Sequence, residues 1–91
     1  MSRVSVQTEA FDPGVETEAL EGLGAGAVAT FTGLVRGDDG VDAMTLEHYP
    51  GMTEAALEAL VVDAQARWSL AGARIVHRVG RLEVGARIVF V

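Results

Sequence analysis

The chain has 91 residues and a formal charge of −6, with seven arginines, no lysine and no cysteine. This length accommodates one domain. The missing cysteine rules out disulfides and thiolate metal sites, and the acidic balance argues against nucleic acid and anionic membrane as partners, because both need a basic footprint.

Apolar residues make up 49% of the chain and the mean hydropathy is +0.29. So short a chain buries only about 60–65% of its unfolded surface. Part of the apolar surface is therefore expected in an interface rather than in a private core. The opening MSRVSVQTEAF holds no apolar stretch of signal-peptide type. No run approaches the roughly 18 apolar residues of a membrane span. The composition reads as a soluble cytoplasmic domain.

Residues 3–7 alternate, with Val4 and Val6 on one face, as in a half-buried strand. Asp12 suits a helix cap and Pro13 the first helical position, so a short helix is expected over Pro13–Glu21, closed by Gly22, Gly24 and Gly26. Residues 26–35 are apolar on both faces and predict a central strand covered on both sides. Gly33 inside it points to a bulge or a close backbone approach. The Gly37-Asp38-Asp39-Gly40 turn is expected to return the chain as an antiparallel strand over residues 43–49.

Pro50-Gly51 then breaks the chain, and Thr53 is the expected cap of the longest helix, with Met52 stapled onto Leu57. Its apolar stripe is Leu57, Leu60, Val61, Ala64 and Trp68. The helix is expected to end near residues 68–70, just before Gly72. Residues 73–79 read as a strand, residues 81–85 as a turn and residues 86–91 as a last strand. That strand stops without cap or polar tail and reads as an open apolar edge, which would invite pairing with another chain.

Few residues here carry chemistry. Arg36 stands where a strand enters a glycine loop, so its guanidinium is placed either to grip a phosphate or to balance Asp38 and Asp39. Glu47 and His48 are strand neighbours and point to opposite faces, so they cannot act side by side. Glu47 is expected to meet an arginine across the sheet. His48 is expected to be a hydrogen-bonded strand residue and stays a candidate because the Pro-Gly turn is close. His77 shares a face with Ile75 and Val79 and is expected to pack. Two histidines without a ligand-spaced partner make no metal site. GLGAG at 22–26 precedes a strand rather than opening a helix, so it is no dinucleotide fingerprint.

Three ordered segments, FTGLVR, LEHYPGMTE and HRVGRLEVG, resemble the large, catalytic subunit of molybdopterin synthase. The resemblance implies an α+β fold, similar to an α/β hammerhead with antiparallel sheet strands and one short and one long helix. It implies a place in molybdenum cofactor biosynthesis: sulfur transfer to cyclic pyranopterin monophosphate from the thiocarboxylated tail of a small ubiquitin-like subunit. The partners implied are that subunit and a second large subunit, in a homodimer within a heterotetramer. No cofactor is implied. The segment matching Leu34, Val35 and Arg36 would line the substrate pocket, with Arg36 on the pterin phosphate. The absence of cysteine fits, because the partner brings the sulfur.

Members of that family continue past the strand matching residues 86–91 with a His-Arg pair, a helix and a segment carrying the catalytic lysines. This chain has no lysine, and an arginine, always protonated, cannot replace one as nucleophile. The 91 residues therefore read as the N-terminal portion of such a domain, with no catalytic residue of their own and no activity in isolation. Two other functions remain open on the residues: a partner-binding or dimerisation module of the same fold without the chemistry, and a small ligand-binding βαβ domain.

Overall fold

The structure is a computed structural model. It describes residues 3–40 and 42–91, the side chain of Asp39 excepted. The elements in chain order are β1 (Val4–Gln7), α1 (Pro13–Glu21), β2 (Thr32–Leu34), β3 (Ala43–Leu46), α2 (Met52–Trp68), β4 (Ile75–Arg78), β5 (Gly80–Glu83) and β6 (Arg87–Phe90). A single 3-10 turn, Asp38–Gly40, lies between β2 and β3. The fold is mixed α+β, with one short and one long helix.

Two sheets form. The larger runs β1-β4-β6-β2 and the smaller pairs β3 with β5. Only β1 and β4 are parallel; the β4–β6, β2–β6 and β3–β5 ladders are antiparallel. A parallel pair needs a long crossover, and here α2 lies within that crossover and packs on β1. Arg3 fastens the two, with Nη2 3.2 Å from Glu58 Oε2 and Nη1 donating to Gln65 Oε1 at 3.1 Å.

Helix α1 begins as its sequence dictates. Asp12 Oδ1 accepts from the N–H groups of Gly14 and Val15, and Pro13 costs no hydrogen bond at the first position. The helix buries Leu20 against Val76 and Phe90, with Phe11 alongside. Val76 and Phe90 are fully buried. The Phe11 and Phe90 rings meet edge to face, centroids 6.3 Å apart, a geometry that matches ring edge to ring face.

Several expectations need correction. The apolar stretch 26–35 is not a central strand. The strand is only Thr32–Leu34, at the edge of the larger sheet, and residues 25–31 are exposed. The bulge at Gly33 is present: the register shifts between Gly33 and Leu34. The Gly37–Gly40 turn does not fold β3 back onto β2, because β3 pairs with β5 in the other sheet and ends at Leu46. Residues 81–83 are not a turn. Arg81, Leu82 and Glu83 alternate out, in, out, and Leu82 is buried in β5; the reversal comes at Gly85, whose φ is 87°.

Thr53 does not cap α2. Gly51, with φ 83°, occupies that position, and the Thr53 hydroxyl accepts instead from the Tyr49 N–H at 3.3 Å. Met52 is 75% exposed and staples nothing. The helix stops where expected, at Ser69 in the left-handed conformation, whose N–H bonds Gln65 O. The last strand is no open edge. β6 lies between β4 and β2, and Phe31 and Val91 exchange backbone hydrogen bonds at 2.8 and 2.9 Å.

Candidate functional site

Strand β2 delivers the segment 34–36 with alternating accessibility. Leu34 is exposed, Val35 is buried and Arg36 is exposed. Val35 is fixed by its backbone, which donates to Ala86 O and accepts from the Gly85 N–H, both at 3.0 Å. Val35 thus anchors the loop while its two neighbours face solvent. The Arg36 Nη2 sits 2.7 Å from Asp38 Oδ2, with both side chains largely exposed. An exposed pair of this kind is worth about 0–1 kcal/mol, so a phosphate could draw the guanidinium away from Asp38 at small cost. The expected second carboxylate, on Asp39, lies outside the described side chains.

The Pro-Gly turn gathers a polar cluster that the sequence only half announced. The chain reverses at Gly51, and the first turn of α2 then faces the end of β3. His48 Nε2 and Glu54 Oε1 lie 3.0 Å apart. A carboxylate only accepts, so the imidazole donates and its proton resides on Nε2. That hydrogen bond is the largest cause holding the Glu54 carboxyl below its ordinary range, assisted by the N–H groups of the helix start. Glu47 does not meet an arginine; it accepts from the Tyr49 hydroxyl at 2.8 Å. Glu54 was missed as the partner of His48. The signal lay in its place in the first turn of a helix opened by Pro-Gly. His77, half-buried, donates from Nδ1 to Arg78 O at 2.8 Å.

A second feature lies apart from these residues. An open groove of about 700 Å³ runs between α1, the segment 25–29, α2, the segment 69–75 and Val91, and includes neither Arg36 nor His48. Its lining is almost wholly apolar, and its one charged side chain, Arg74, is engaged by Glu16, with Nε donating to Oε2 at 3.1 Å.

Among the described residues no three His, Asp or Glu side chains gather to hold a metal. Among the described residues no helix is long and apolar enough to cross a membrane. With neither thiol nor lysine amine, the chain presents an exposed guanidinium at Arg36 and a hydrogen-bonded imidazole at His48, but no strong nucleophile.

The MoaE protein family model matches residues 6–91. The molybdopterin synthase catalytic subunit of Pseudomonas aeruginosa is 53% identical over 97% of this chain and 62% of its own length. That of Yersinia pestis is 50% identical over 99% of the chain and 62% of its own length. Among solved structures, the MoaE protein of Burkholderia ambifaria superposes with a TM-score of 0.85 at 46% identity, covering 99% of this chain and 61% of that one. A molybdopterin synthase structure from Staphylococcus aureus gives 0.81 at 27% identity, covering 99% and 68%. The chain spans about three-fifths of the length of these curated relatives, and it belongs to the MoaE protein family.

Proposed function

We propose that these 91 residues are the N-terminal portion of a molybdopterin synthase catalytic subunit and contribute its pterin-binding side. The reaction is sulfur transfer from a thiocarboxylated small subunit to cyclic pyranopterin monophosphate, in the cytoplasm, within a heterotetramer built on a homodimer of this subunit. The observation that carries this reading is the family match from residue 6 to residue 91, with relatives of that activity at about half identity. On this reading Arg36, Leu34 and Val35 form part of the substrate pocket, and Arg36 exchanges Asp38 for the substrate phosphate. His48, tied to Glu54 at the Pro-Gly turn, is a weaker candidate for a place in the same site. The sulfur comes from the partner, since the chain has no cysteine, and the reactive amine comes from residues beyond these, since it has no lysine.

The test is a sulfur-transfer assay with thiocarboxylated small subunit and the pterin precursor. The isolated chain is expected to form no dithiolene product. The chain completed with the remaining part of the Pseudomonas aeruginosa subunit is expected to form it. Product from the isolated chain would overturn the assignment of the amine to residues outside it. No product from a folded, completed chain would overturn the function.

A further inference from the structure

One extra residue in β6 decides which side chain stands opposite Leu34. In the β2–β6 ladder Gly33 pairs with Val89, but Leu34 pairs with Arg87 rather than with Ile88. The bulge thus inserts Ile88 and advances Arg87 by one position, and bulges of this kind re-aim side chains next to sites. Pairing continues beyond it, since the Val35 N–H donates to Ala86 O and the Gly85 N–H to Val35 O, both at 3.0 Å. Arg36, two residues on from Leu34, is therefore the diagonal neighbour of Arg87. Such positions lie about 7–8 Å apart, within reach of long side chains.

These two guanidiniums differ from most others in the chain. Of the seven arginines, Arg3, Arg67 and Arg74 are paired with carboxylates, and Arg78 donates twice to Thr8 O. Arg36 has only its exposed pairing with Asp38. Arg87 is exposed and makes no ion pair or side-chain hydrogen bond with any other described residue. Like charges on neighbouring strands oppose each other, and the interior strand β6 holds Arg87 in place against that repulsion. An anion between the two turns repulsion into attraction. Each guanidinium offers a parallel pair of N–H donors to phosphate oxygens. Leu34, 54% exposed, is an apolar shelf between them.

We infer that Arg87 and Arg36 together form a seat for the phosphate group of a ligand. Arg87 is the free arm, and Arg36 is the arm that exchanges Asp38 for the phosphate. The role of Arg36 rests on the function proposed above; Arg87 is added by the register of β6 alone.

The test follows the isotope-labelled chain by NMR as inorganic phosphate is added, against sodium chloride at equal ionic strength. Resonances of Arg36, Asp38 and Arg87 are expected to move together and to saturate with phosphate but not with chloride. Arg87→Ala and Arg36→Ala are each expected to weaken phosphate binding by about tenfold or more. Asp38→Asn, which removes the competing carboxylate, is expected to tighten it by up to about fivefold. Arg81→Ala, on an exposed arginine of β5 in the other sheet, is expected to leave it within about twofold. Where the 91 residues do not hold their fold alone, the completed chain described above is titrated in the same way. The inference is overturned by an unsaturable drift common to both salts, by equal effects of Arg81→Ala and Arg87→Ala, or by saturable binding that Arg87→Ala leaves unchanged. Sulfur transfer is not read in this experiment, so failure of the seat and failure of the proposed function are told apart.

Discussion

His48 and Glu54 close the Pro50-Gly51 turn like a clasp, with Nε2 3.0 Å from Oε1 and the helix start on one side, the end of β3 on the other. The contact ties the residues just after β3 to the first turn of α2, beside the hydrogen bonds from the Met52 and Thr53 N–H groups to Tyr49 O. The Nε2–H is directed at the Glu54 carboxylate.

This clasp carries a pH dependence. The Glu54 carboxyl is held below its ordinary value of 4.5, chiefly by His48. A carboxyl depressed in the folded state stabilises the fold above its unfolded pKa, and that contribution is lost as pH falls through the lower folded value. The chain is therefore expected to lose melting temperature on acidification below about 4.5 more steeply than Glu54→Gln, which has no such proton to gain. Parallel thermal melts across that range check this; superimposable curves would show that the clasp contributes nothing.

Phe90→Ala should be the most damaging single truncation. The ring is fully buried and is shared by α1, β4 and β6. Large-to-small changes at such sites cost about 3–5 kcal/mol, a large part of what a small domain has. Urea unfolding should show the midpoint fall with little change in slope. A cost under about 1 kcal/mol would mean the core is not centred here.

Gly33 is sterically obligatory. A Cβ placed there would stand 2.8 Å from Val89 Cγ1, and a β-branched side chain cannot swing aside. Gly33→Ala should cost about 1–3 kcal/mol. Val89→Ala in the same chain should recover part of that loss, giving a favourable coupling in a double-mutant cycle. Strict additivity would argue that strand entropy, and not the contact, sets the cost.

The Glu16–Arg74 pair is more sheltered than the other ion pairs, at 18% and 13% side-chain exposure. Arg74 donates twice, to Oε2 at 3.1 Å and to Oε1 at 3.4 Å. Glu16→Ala leaves a partly buried guanidinium short of its carboxylate and should cost about 1.5–3 kcal/mol. Asp63→Ala, which breaks the exposed pair with Arg67, should cost no more than about 0.5 kcal/mol. Equal effects in chemical denaturation would contradict the role of burial.

Arg36 separates structure from function. Because its pairing with Asp38 is solvent-exposed, Arg36→Ala should leave stability within about 1 kcal/mol. In a completed, active subunit the same change should raise KM for the phosphate-bearing substrate by about tenfold or more, as loss of a charged phosphate contact does. Unchanged KM would return Arg36 to the role of a solvated surface charge.

The sequence foretold the local structure better than the pairing. Asp12-Pro13, Pro50-Gly51 and Gly72 mark the helix limits because capping and breaking are local chemistry. The strands β1, β4 and β6 follow from short-range alternation. The central-strand reading of 26–35 failed because its pattern states a demand for cover that these residues do not meet among themselves. The β3–β5 pairing was not legible, since neighbours in sequence are the usual partners in space and here β2 and β3 part company. β5 itself was readable: Arg81, Leu82 and Glu83 alternate, but the flanking Gly80 and Gly85 made the stretch look like a turn. In the candidate site, Arg36 at a strand mouth was visible, whereas Glu54 emerged only once the turn geometry brought α2 back to β3.

The placement of β6 between β4 and β2 has a consequence for synthesis. Strands made early, β1 and β2, have no hydrogen-bonding contact with each other and are united only through β4 and β6, which emerge last. A nascent chain interrupted before Arg87 would carry three sheet strands with no keystone, β2 wholly unpaired among them. Such long-range closure is slow and leaves strand edges bare meanwhile, so β2 stays exposed to mispairing until β6 has been made.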